Sequence, residues 1–81
     1  MQEDAIYTQL TELFRDLFSD DDIVLTAATT AADIDGWDSF NHISIIVAVE
    51  TRFGIKMQTR EIEGLHNIGA MVTLIRAKLA G

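Results

Sequence analysis

Few side chains in this sequence can do acid–base, nucleophilic or metal chemistry, and those that can gather in one short stretch. Gly36-Trp37-Asp38-Ser39-Phe40 sets an acid and a serine between a glycine turn and an apolar run, with His42 three residues past the serine. Residues three apart on a helix are neighbours, so Ser39 and His42 form a candidate nucleophile and base. No acid is placed to orient the histidine and nothing suggests an oxyanion site, so the hydrolytic reading lacks two of its parts. The ordinary reading of Asp-Ser is capping, in which the Asp38 carboxylate accepts a hydrogen bond from a free N–H at the helix start. His42 then falls toward the apolar side of its helix as a half-buried packing residue. His66, the second histidine, is too far along the chain to read as its partner.

Other chemistries are missing. No HExxH, no phosphate-cradling glycine loop and no GxSxG elbow occurs. Asp20-Asp21-Asp22 lacks the spaced acids, central glycine and closing glutamate of a calcium loop, and reads as a solvated helix end. The absence of cysteine removes disulfides, thiolate metal ligands and a cysteine nucleophile together. No enzymatic centre is expected, and no metal.

The elements that must carry this stretch are helical. Ile6, Leu10, Leu13, Phe14 and Leu17 make one apolar stripe, which predicts a helix over about 3–18. A long Thr-, Ala- and Asp-rich connection follows to Trp37, with Ile23, Leu25 and Ile34 as inward anchors and room for a short helical turn. A second helix is expected from Asp38, its N-cap, to Phe53, with Gly54 as the stop. Its core face is read as Ile43, Ile45, Ile46, Val49 and Phe53, and Phe40, Ser44, Val47 and Thr51 make a strip on the other side. A short helix over Thr59 to Leu65 and a last helix capped by Asn67, with Ile68, Met71, Val72, Ile75 and Leu79 inward, complete the reading. The fold expected is all-α: a small irregular four-helix bundle, three main helices and one short, with a long first loop.

The 81 residues are expected to form one domain, 1–81, with 48% apolar and 23% charged residues, a globular composition. No apolar run approaches the roughly 20 residues of a membrane-spanning helix, and the N-terminus has no signal pattern, so a cytoplasmic chain is expected; a monomer is also expected. The net charge of −7 argues against nucleic acid as a partner. That charge is uneven, with nine acids and one base in residues 1–35 but four acids and five bases in residues 36–81.

Asp38-Ser39-Phe40, with the helix end Glu50-Thr51-Arg52-Phe53-Gly54-Ile55 and the later Asn67-Ile68-Gly69-Ala70-Met71-Val72, resembles the acyl carrier protein family from about Ile34 to Leu79. The family motif is Asp-Ser-Leu, and its helix closes in Glu-x-x-Phe-Gly-Ile. The resemblance implies that Ser39 carries 4′-phosphopantetheine, transferred from coenzyme A by a separate magnesium-dependent phosphopantetheinyl transferase, with Asp38 as the adjacent motif acid. It implies a non-catalytic carrier whose partners are that transferase and the enzymes that load and remove an acyl, polyketide or aminoacyl cargo held as a thioester. The contrasting possibility is a small helical interaction module with no prosthetic group, for which capping and packing would suffice.

Several positions depart from the family pattern. Phe40 stands for the usual Leu, Asp35 separates Ile34 from Gly36, and Met57 replaces a common proline before a less acidic Gln58-Thr59-Arg60-Glu61. The second helix, acidic in carriers of fatty-acid synthesis, has only Glu50 and Arg52 as charges after the serine. A specialised free-standing carrier is therefore expected, with Phe40, Ser44, Val47 and Thr51 as its partner-docking strip.

Overall fold

The computed structural model describes residues 2–80, and its regular elements are all helical, with no strand among the described residues. Helix α1 spans Glu3–Phe18, α2 Ser39–Phe53, α3 Thr59–Glu63 and α4 Ile68–Ala80, and a single 3-10 turn, Ala31–Asp33, interrupts the long first connection. This is the bundle of three main helices and one short one that the periodicity predicts.

Helix α1 buries Ile6, Leu10, Leu13 and Phe14 against α2 and α4. It ends at Ser19, which takes a left-handed conformation that no glycine marks in the sequence. The Arg15 side chain then donates from Nε to the carbonyl of Ile23 at 2.9 Å, tying the helix end to the loop. Ile23, Leu25 and Ile34 are buried as expected, and they pull the connection over the core. In α2 the buried residues are Ile45, Ile46, Val49 and Phe53, and Gly54 closes the helix in a left-handed C-cap.

Ile43 corrects the expected core face. It is 59% exposed. At 100° per residue it lies about 160° from Ile45 and only about 40° from Val47, so it belongs with the outer strip. Helix α3 is also shorter than expected. The Gly64 and Leu65 amides donate to Glu61 and Ile62, three residues back, so the chain turns out of the helix before Leu65. Lys78 holds this small helix to α4 through Glu61 at 2.8 Å. The Lys78 hydrogen bond, aided by the Gln58 amide, keeps the Glu61 carboxyl below the usual glutamate range.

The start of α4 fastens the long loop. The amides of Ile68 and Gly69 donate to the carbonyls of Thr29 and Ala27, at 2.9 and 3.0 Å, and Asn67 Oδ1 accepts from Ala70, so free N–H groups of the first turn are satisfied by the loop and the cap. The approach requires glycine, since a Cβ on Gly69 would stand 3.0 Å from the Ala27 oxygen. Helix propensity alone favours alanine over glycine by about 1 kcal/mol. The Ala27 carbonyl cannot retreat without lengthening its bond from Gly69, so Gly69→Ala is expected to lower the melting midpoint. A rise of several degrees, the result of propensity without the contact, would show that the loop yields freely.

Candidate functional site

The chain enters α2 through a locked turn. Gly36 has φ +89°, a left-handed value that side chains resist, and the Asp38 amide donates back to its carbonyl at 3.1 Å. The Asn41 side chain donates to the same Gly36 carbonyl, while the Asn41 amide donates to Asp38 Oδ1 at 2.8 Å. Asp38 is thus the N-cap, as expected, and its carboxylate is engaged by the helix start. Ser39 follows as the first helical residue and is exposed. Its hydroxyl makes no hydrogen bond to another described residue, and the amides of Ser39 and Phe40 have no acceptor among them either. A serine oxygen free to react therefore sits beside two free N–H groups at the positive end of a helix, a setting that suits an attached anion.

Beside Ser39 lies an open hollow of about 360 Å³ lined by Ala31, Trp37, Asp38, Ser39 and His42. Trp37, which the sequence places only as part of the turn, is buried and packs edge-on against Phe14 with ring centroids 5.2 Å apart and planes at 75°. Its indole Nε1 donates to His42 Nδ1 at 3.0 Å. The two rings are nearly coplanar, 14° apart with centroids at 6.0 Å, so they meet edge to edge rather than face to face. A buried indole needs an acceptor for its N–H, and His42, five residues on, supplies it. His42 is half-buried, as expected. Because its Nδ1 accepts from an indole and no carboxylate orients the ring, the hydrolytic pairing with Ser39 has no support in the geometry.

The other expected site residues, Phe40, Ser44, Val47 and Thr51, share the outer face of α2 and are all exposed, with Ile43 added. Phe40 is 81% and Val47 55% exposed, so neither is the margin of a wide core face. The two charges of this helix after the serine are both engaged internally. Glu50 accepts from the Met57 amide at 2.8 Å, and Arg52 pairs with Glu12 of α1 at 2.7 Å. No group of three or more histidine and acidic side chains among the described residues is arranged to hold a metal ion.

No protein-family model matches the chain. A protein of Petrotoga mobilis (strain DSM 10674 / SJ95) named acyl carrier protein is 29% identical over 80 residues, which cover 98% of this chain and 93% of that protein. The solution structure of the holo acyl carrier protein from Geobacter metallireducens superposes with a TM-score of 0.86 and is 44% identical, covering 91% of this chain and 85% of that one.

Proposed function

The chain belongs to the acyl carrier protein family, and from that premise we propose that Ser39 bears 4′-phosphopantetheine, by which the protein holds acyl cargo for partner enzymes. The observation that carries the assignment to Ser39 is its hydroxyl, exposed and free of internal hydrogen bonds in the first turn of α2. The donor set fits the group: the free amides of Ser39 and Phe40 and the positive end of the helix would hold the phosphodiester carried by this oxygen. Asp38 holds that end in shape through its bond from Asn41 and stands as the motif acid beside the attachment point. When bound, the arm supplies a thiol, with an ordinary pKa of about 8.5, as the attachment point for cargo. The protein presents that thiol and does no chemistry on it, having no cysteine to compete for acyl groups.

Purified protein treated with a broad-specificity phosphopantetheinyl transferase, magnesium and coenzyme A is expected to gain one phosphopantetheinyl group by intact mass. An unchanged mass, under conditions that load a control carrier, would overturn the reading.

The partners proposed are that transferase and the enzymes of a specialised acyl, polyketide or aminoacyl pathway. The whole chain acts as one carrier domain, as a monomer and in the cytoplasm; no helix among the described residues is long and apolar enough to cross a membrane. The character of α2 supports a specialised partner. Its outer face offers Phe40, Ile43 and Val47 with the hydroxyls of Ser44 and Thr51, and its charges are spent on Met57 and Glu12. Such a face binds by burying apolar area, at about 25 cal/mol per Å² before the costs of ordering. Val47→Asp is expected to weaken binding of the dedicated partner at least tenfold, whereas Glu50→Gln, which keeps an oxygen for the Met57 amide, changes it little. Raising salt should also change it little, because screening acts on exposed charge pairs. Binding that collapses with salt and tolerates Val47→Asp would move the docking surface to the acidic first 35 residues.

A further inference from the structure

We propose that the His42 imidazole donates from Nε2 to the phosphodiester rooted on Ser39, an inference that rests on the carrier reading above. The geometry leaves His42 little else to do with that nitrogen. The Trp37 indole has a single N–H and spends it on His42 Nδ1 at 3.0 Å, so in the neutral ring the proton must be on Nε2. That Nε2 has no partner among the described residues, and no buried side-chain nitrogen or oxygen among them lacks one, so it opens to solvent. His42 lines the same hollow as Ser39, one helical turn on and on the same side of α2.

The chemistry of the hollow points the same way. A phosphodiester brings two unesterified oxygens and a negative charge, and both call for donors. Ala31 offers none, the Trp37 donor is already used, and Asp38, the one charged side chain lining the hollow, is an acceptor when ionised. His42 is the only lining side chain besides the attachment serine with a hydrogen to give. Trp37 is buried against Phe14, so the ring that sets the His42 tautomer is itself held by the core. Root, donor and tautomer are arranged before the arm arrives, which is how a site limits the ordering cost of binding. The plainer account is that His42 merely satisfies a buried indole N–H. The two accounts differ in what the phosphorus atom senses.

The test uses the holo protein, its arm confirmed by intact mass and its thiol alkylated so that it does not titrate. If no arm is added, the carrier reading fails before this one is reached. The protein is 15N-labelled at histidine and held at one pH above the range in which an ordinary histidine protonates. The His42 Nε2–H proton is expected to be visible, protected from solvent exchange in the holo protein and not in the apo protein, and to show a cross-peak to the phosphorus. The His66 ring is expected to show neither. A His42 Nε2 proton as exposed to exchange with the arm as without it overturns the proposal, and so does a phosphorus cross-peak to His66 in place of His42.

Discussion

Phe14→Ala is expected to leave the protein partly unfolded at room temperature and to lower its melting midpoint by at least roughly 12 °C, from a loss of about 3–5 kcal/mol. Phe14 is fully buried, with the Trp37 ring edge-on at 5.2 Å and the Phe18 ring tilted at 5.9 Å. Removing it opens a cavity beneath two aromatic neighbours that a backbone tied at Gly36 and Asp38 cannot easily collapse to fill. A domain of 81 residues has only about 4–12 kcal/mol of net stability at typical values per residue, so the loss is a large share of the whole. The effect reaches the site as well, because Trp37 rests on Phe14 and His42 rests on Trp37. Thermal melting followed by circular dichroism checks this, and a cooperative transition within a few degrees of wild type would show that the α1 stripe is not the core.

The sequence makes the helices readable where local physics decides them. The α1 stripe, the Asp38 cap, the Gly54 stop and the Asn67 cap are all found where residue type and spacing place them, because each rests on groups within a few residues of one another. Ile43 was misplaced for the opposite reason. The α2 sequence is apolar nearly all round, so hydropathy does not say which side the rest of the chain covers, and only the packing of α1 and the loop decides it. That Ser39 opens α2, exposed and next to its cap, was readable from residue type and spacing. The Trp37–His42 pair was not, since it depends on the core beneath Trp37 and on the turn that swings the indole inward. The fastening of the loop to α4 at Gly69 was likewise invisible, because it joins residues about forty apart through backbone atoms alone.

The charge arithmetic acquires a structural meaning. Arg52 and Arg76 of the second half pair with Glu12 and Glu3 of α1, and Lys78 pairs with Glu61. The Arg52–Glu12 and Arg76–Glu3 pairs lie at the surface, and exposed pairs contribute little stability. Their consequence is for the outer face of α2: the Arg52 charge is answered within the chain, so the exposed Phe40, Ile43 and Val47 dominate the character of that face.

The second large effect is all or none. Ser39→Ala is expected to abolish phosphopantetheinylation while leaving the helical circular-dichroism signal and the melting midpoint nearly unchanged. The Ser39 hydroxyl has no partner inside the protein, Asp38 rather than Ser39 supplies the cap, and a surface change of this kind shifts stability by about 0.5 kcal/mol or less. A variant that still gains the arm would place the attachment elsewhere, and the chain offers two other serines, Ser19 at the end of α1 and Ser44 on the outer face of α2, both exposed. The most direct measurement is therefore peptide mass spectrometry of the wild-type holo protein with the modified residue located by fragmentation. The arm is predicted on Ser39 alone. An arm on Ser44 or Ser19, or no arm on any serine while a control carrier is loaded in the same reaction, would contradict the account.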